Sequence, residues 1–236
     1  MAEVFHAVPR RALAVYAHPD DADIACGGTL ASWAKLGADV RLLVLADGAK
    51  GTDEAADDLA SLARRRGEEV RDAAAALGLA DVEQLGIPDG EVENDLATRG
   101  AIVAAIRRLL PSTVLAPDPT ATFFGGVYVN HRDHRQAGWA VLDAVAPASG
   151  MPQYFPEAGP PHHVDTLLLS GTLEADVVVD VDGTLDAKVA AVLSHRSQLR
   201  GDDEWARAAV VARAEQAGRL VGLTHGEAFR HVALDG

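Results

Sequence analysis

Two short clusters bring together histidines and aspartates, side chains that can bind a cation or move a proton. The first is His18, Pro19, Asp20 and Asp21 in "AHPDDADIACGGTLA"; the second is His131, Asp133 and His134 in "NHRDHR". An imidazole beside adjacent carboxylates suits a divalent cation held by nitrogen and oxygen. Each cluster alone has a plainer reading. Pro19 can fix a turn while an aspartate caps the next helix, and "NHRDHR" can be the solvated start of a helix. Their coincidence in a chain of nine histidines favours a shared metal site.

That reading requires elements that bring the clusters together. The chain alternates apolar β-branched runs with helical periodicity, which predicts an α/β fold: a Rossmann-like, largely parallel sheet with helices on both faces. One domain is expected over residues 1–236. Strands are expected at residues 11–17 and 39–47, with a helix at 22–36 between them. A long helix follows from about 53 to 77, closed by Gly78. A strand at "VEQLGI", a helix over about 95–110 and a strand at 112–117 come next. Residues 118–130 read as a long irregular stretch, of the kind that is usually functional, before a helix near His134. Residues 146–163, rich in proline and glycine, read as a surface excursion rather than a linker. The strands "VDTLLLSG" and "DVVVDV" and a helix from 185 to about 199 follow. Ligands of open parallel sheets bind beyond the carboxyl ends of the strands. Both clusters sit at such ends and can reach one crevice.

Composition removes several functions. A net charge of −14, from 35 acidic against 21 basic residues, opposes nucleic acid or an anionic membrane surface as the partner. No apolar run approaches the length of a membrane span. The opening "MAEVFHAVPRRALAVYA" lacks a basic start followed by a long apolar run, so no secretory signal is expected. The single cysteine, Cys26, cannot form an internal disulfide, which fits a cytoplasmic protein, and it reads as a small buried residue. "CGGTLA" does not match a dinucleotide fingerprint, so no nucleotide cofactor is expected.

"AHPDD" followed by "GGTLA", with a distal H-x-D-H, resembles the PIG-L/LmbE-like metal-dependent de-N-acetylases. That family includes the deacetylases of N-acetylglucosaminyl-phosphatidylinositol, mycothiol and bacillithiol biosynthesis. The pattern R-x-x-E-x-x-x-A-x-x-x-L-G from Arg66 to Gly78, "LGIPDG", and Lys188 with "HRSQ" at His195 to Gln198 extend the likeness over most of the chain. The resemblance implies an LmbE-like fold and hydrolytic removal of an N-acetyl or other N-acyl group from a small amino sugar or glycoconjugate. It implies that His18, Asp21 and His134 bind one divalent metal, zinc or alternatively iron, and that Asp20 is the general base. His131 would stabilise the oxyanion or protonate the amine, with Asp133 orienting it. Arg66 and Asp89 would contact the substrate, and the chain would assemble into a homo-oligomer. In mycothiol-type members a tyrosine stands two residues before the first histidine of the distal motif; here that place is Val129, with Tyr128 one residue earlier.

Arg66 falls on an apolar helical stripe with Leu59, Leu62, Val70, Ala73 and Leu77, so it either snorkels, pairs with a structural carboxylate or, as the resemblance implies, contacts a sugar hydroxyl at the site mouth. Asp89 in "PDG" is otherwise an ordinary turn residue. His195 reads as a structural or capping group. Three rivals keep the same ligands: an amidase of larger conjugates, an iron oxygenase built on two histidines and a carboxylate, and a catalytically silent metal- or sugar-binding protein.

Overall fold

The computed structural model describes residues 2–53, 58–199 and 201–234. Among these, eight strands form one sheet. Its parallel centre is β2 (Arg11–Tyr16), flanked by β3 (Asp39–Ala46) and β5 (Thr113–Pro117), with β4 (Asp81–Ile87) beyond β3 and β8 (Thr166–Ser170) beyond β5. On the other side of β8, β10 (Gly226–Ala233) runs antiparallel to both β8 and β9 (Val177–Asp180), and β1 (Glu3–Val4) pairs with β9 in parallel. The expected α/β class with a largely parallel sheet therefore describes the fold, with β10 as the antiparallel insertion that the sequence reading did not contain.

Helices cover both faces, which is why the central strands are continuously apolar. Ala12, Ala14 and Tyr16 of β2 face a cluster that includes Leu30 and Trp33 of α1 (Asp21–Lys35) and Val70 and Leu77 of α2 (Leu59–Leu77). Leu13 and Val15 point the other way, to Ile102 and Ile106 of α3 (Leu96–Leu109) and Val141 of α4 (Arg132–Val145). α5 (Leu185–Ser194) and α7 (Asp203–Gly218) add Ala191 and Ala214 to the first face. None of the helices among the described residues is long and apolar enough to cross a membrane.

Several boundaries differ from expectation for local reasons. α2 starts at Leu59 because the Asp58 side chain accepts from Ala60 N, while residues 54–57 of the expected helix lie outside the described residues. α4 starts at Arg132, two residues early, because His131 is itself the cap. The irregular stretch contains a short hairpin of β6 (Phe123–Phe124) and β7 (Tyr128–Val129). The helix expected to reach residue 199 breaks at His195 into α5 and α6 (Arg196–Leu199).

α1 is also broken, at Cys26, whose φ of −143° and ψ of 17° are not helical. The freed amides of Gly28 and Thr29 donate to the Glu227 carboxylate at 2.9 and 2.7 Å, and Lys188 neutralises that carboxylate through a buried ion pair. Gly28 is required at this contact, since a Cβ there would lie 2.8 Å from Val181. α5 and β10 thus hold the helix that begins at Asp21.

The proline- and glycine-rich excursion is organised by one side chain. Arg107, 4% exposed, donates to the carbonyl oxygens of Ala148, Ser149, Met151, Tyr154, Phe155 and Gly159 at 2.8–3.1 Å. A planar guanidinium with five N–H groups can serve such a ring of acceptors, and an ammonium with three cannot. Arg107→Lys is therefore expected to cost about 3 kcal/mol of stability, read from urea unfolding, and to expose residues 148–159 to limited proteolysis.

Candidate functional site

The two clusters meet because β2 and β5 are neighbours. The turn after β2 carries His18, Asp20 and Asp21, and the segment after β5 returns through the β6–β7 hairpin to Asn130, His131 and α4. His18 Nδ1 lies 3.1 Å from His134 Nε2 and 3.3 Å from Asp21 Oδ2, while His134 Nε2 lies 3.1 Å from Asp21 Oδ1. The His18 amide also donates to Asp21 Oδ2 at 2.8 Å, which fixes the carboxylate against the turn.

The outer nitrogen of each ring faces an acceptor, which favours a proton on that side. His134 Nδ1 lies 3.0 Å from Asn130 Oδ1, a pure acceptor, so Nδ1 donates and Nε2 presents its lone pair to the centre. Asn130 is itself locked by donating from Nδ2 to Ala121 O at 2.8 Å. His18 Nε2 faces Asp89 Oδ1 at 3.2 Å and Asp133 Oδ2 at 3.5 Å, so it donates and leaves Nδ1 as the inward lone pair. Two lone pairs and a carboxylate thus point at one another, an arrangement that needs a proton or a cation among them. The nitrogen and oxygen donors fit zinc or iron.

The surrounding charges act in the same direction. Burial disfavours a charged His18, but hydrogen bonds to Asp133, Asp21 and Asp89 outweigh it and raise its pKa from 6.5 to about 12. Burial likewise opposes ionisation of Asp21, yet His134 and His18 hold its carboxyl well below the usual range. His18, Asp89 and Asp133 also lie close enough to share an ion. Those two carboxylates, however, are occupied behind the ring: Asp89 Oδ2 accepts from Lys50 N at 3.0 Å and Asp133 Oδ2 from Gly90 N at 2.7 Å. Asp21 and His134 line the open cleft.

Asp20 stands beside this centre with its Oδ1 bound by Arg66 Nη2 at 2.9 Å, and Arg66 Nη1 donates to Gly48 O at 2.9 Å. Arg66 is 3% exposed, so its guanidinium lies behind Asp20 and not at the site mouth. The arginine's partner in the structure is a carboxylate, one of the outcomes its place on an apolar stripe allowed. Asp89 backs His18. The Asp133 carboxylate backs His18 as well, and Asp133 orients His131 instead through its amide, which donates to His131 Nδ1 at 3.2 Å. With Nδ1 accepting, neutral His131 carries its proton on Nε2. Its ring centroid lies 4.9 Å from that of His18 and 5.4 Å from that of His134.

Other sequence-level features resolve as supports. His195 Nε2 pairs with Asp23 Oδ2 at 2.6 Å in the interior. Ser197 binds Glu69 of α2 through its amide and hydroxyl at 2.8 and 2.6 Å, and Gln198 donates to Gly51 O at 3.1 Å. The "HRSQ" segment therefore ties α1, α2 and the loop after β3 together. Cys26 is buried, and desolvation pushes its thiol pKa up, away from a nucleophile. Tyr128 lines the cleft beside Asp21 and His134, reaching it from the hairpin. Asn130 and the Lys188–Glu227 pair were missed by sequence reasoning; the four-residue step from Asn130 to His134 was the only local signal for the former.

The sequence profile described as "PIG-L: GlcNAc-PI de-N-acetylase" matches residues 13–145. A diacetylchitobiose deacetylase from Thermococcus kodakarensis is 34% identical over 200 residues, covering 83% of this chain and 72% of its own. A 1D-myo-inositol 2-acetamido-2-deoxy-alpha-D-glucopyranoside deacetylase from Rhodococcus opacus is 31% identical over 247 residues, covering 80% and 82%. The structure of N,N'-diacetylchitobiose deacetylase from Pyrococcus horikoshii, complexed with its inhibitor MPG, is similar with a TM-score of 0.87 and 27% identity over 95% of this chain and 84% of that one.

Burial and the neighbouring His18 push the His131 pKa below 6.5. A lowered value means that the neutral ring is favoured by the fold, so the cap it forms is intact above pH 6.5 and is lost as pH falls through the folded value. Nitrogen-15 NMR of the histidines is expected to show His131 with an unprotonated Nδ1 and a protonated Nε2 at pH 7, titrating below 6.5.

Proposed function

The chain belongs to the PIG-L de-N-acetylase family, and from that premise we propose that it hydrolyses the N-acetyl group of a small amino sugar or glycoconjugate, using zinc or iron. The observation that carries this reading is the convergence of His18 Nδ1, Asp21 and His134 Nε2 within 3.3 Å, with Asp20 adjacent and outside the triad. The relatives described above are deacetylases of N-acetylglucosamine derivatives, which supports the substrate class.

His18, Asp21 and His134 would hold the ion, which when bound supplies Lewis-acid polarisation of the acyl carbonyl and lowers the pKa of a bound water from about 15.7 toward about 7. Asp20 accepts the proton as the water oxygen bonds to the carbonyl carbon. Arg66 occupies one oxygen of Asp20 and holds the carboxylate in orientation, leaving the other oxygen for this transfer. His131 offers Nε2–H to the oxygen on which negative charge develops. The C–N bond then breaks, the proton on Asp20 passes to the leaving amine, and acetate is released. Asp89, Asp133 and Asn130 keep both ligand rings in the tautomers that face inward, the kind of outer hydrogen bond that governs metal affinity.

Acetate release from a panel of N-acetylated amino sugars, before and after chelation and restoration of one divalent metal, tests the reading; absence of release from metal-loaded protein overturns it. Asp20→Asn is expected to keep metal content and lower kcat by about 10²–10⁴. Asn130→Ala is expected to weaken zinc binding by roughly 10–100-fold, read by competition with a chelator.

A further inference from the structure

A cleft of about 610 Å³ opens beside the triad. Its lining includes Asp21 and His134 together with Tyr16, Ser170, Ala217 and Ala228, and does not include Asp20, His131 or Arg66. The cleft thus meets the centre through Asp21 and His134, and the acid–base residues are not part of its lining. We infer that this cleft receives the acyl chain of the substrate, so that the protein removes aliphatic N-acyl groups several carbons long as well as acetyl. The inference rests on the hydrolase reading above and extends it to the acyl side.

The chemistry of the leaving group sets the direction. The amine nitrogen must finish within hydrogen-bond reach of Asp20, which returns its proton, so the amino sugar lies on the Asp20 side. The carbonyl carbon has one other substituent, its acyl chain, and that chain points away from the nitrogen. An acetyl methyl displaces about one water, roughly 30 Å³, whereas 610 Å³ lies in the range of sites that enclose whole small molecules.

The polar groups of the cleft suit a chain better than a sugar. Tyr16 OH and Ser170 Oγ are bonded to each other at 2.8 Å. Lys188 is paired with Glu227, and the Glu227 oxygens also accept from Gly28 N and Thr29 N. A sugar placed among Ile24, Pro117, Phe124 and the alanines would find the buried polar pairs of the lining already engaged, while Arg213 and Tyr128, which also line the cleft, are exposed. An aliphatic chain meets no such cost. On the Asp20 side, by contrast, Lys50 and Glu91 are exposed and polar.

Hydrolysis of N-acetyl-, N-butyryl- and N-hexanoylglucosamine by the metal-loaded protein tests the inference. The longer amides are expected to be cleaved with kcat/KM at least equal to that of acetyl, rising by up to about four-fold per buried methylene. Ala217→Phe and Ala228→Phe, made separately on α7 and β10 and each checked for an unchanged melting temperature, narrow the cleft from opposite elements. Each is expected to lower kcat/KM for the hexanoyl amide by about ten-fold or more, with the acetyl amide within about two-fold. Equal losses for acetyl and hexanoyl would place the sugar in the cleft and overturn the inference. Release of acetate without cleavage of the longer amides by the unmodified protein would overturn it too, with the deacetylase reading intact. Failure to cleave any of the three would remove both readings together.

Discussion

Three electron-rich groups are forced together at the end of β2, and the rest of the molecule is arranged so that they stay there. Two imidazole lone pairs and a carboxylate within 3.3 Å of one another repel unless positive charge lies among them. The surroundings keep that demand unsatisfied by the rings' own outer protons, which are drawn off by Asp89 and Asp133 on one ring and by Asn130 on the other. Asp89 and Asp133 are in turn held by backbone amides of other loops, and Asn130 by a carbonyl of its own segment. The demand for positive charge, a proton or a cation, is therefore a property of the fold, written into where each outer proton is allowed to sit.

The sheet makes this arrangement feasible. β2 lies between β3 and β5, α1 covers one face and α4 the other, and the two chain segments leaving β2 and β5 enclose a crevice at the sheet's carboxyl edge. The loops after β3 and β4 complete the floor. Asp47 accepts from the amides of Ala49 and Asp89 at 2.9 and 3.0 Å, so the turn that backs His18 is bonded directly to the loop that carries Lys50. Gln198 and Ser197 fasten the same loop region and α2, which carries Arg66. Asp20 is aimed by an arginine whose own position depends on a helix, a loop and a distant short helix.

The parts of this site legible in the sequence were those with short-range signatures. His18, Asp20, Asp21, His131 and His134 stand out because chemistry-bearing types cluster at strand ends, and apolar runs locate β2, β3 and β5. What could not be read were pairings between segments far apart in sequence. Asp133 sits one residue from His134 and two from His131, yet its carboxylate serves His18 across 115 positions, and no local pattern encodes that. Arg66 announced its need for a partner through its place on an apolar stripe, but both a carboxylate and a sugar satisfied that need until Asp20 was located. The antiparallel insertion of β10 was invisible because strand order depends on tertiary packing, and residues after 199 carried no motif that chemistry singled out.

Arg107 binds the excursion at residues 148–159 only through main-chain oxygens. A guanidinium that recognises carbonyls and no side chains specifies a path and leaves composition open. Homologous chains that keep an arginine at this place and the same backbone course can exchange the excursion's outward-facing residues at little cost. That surface is free to diversify while the core beneath it stays fixed, and insertions that alter its course, more than substitutions along it, are what selection would remove.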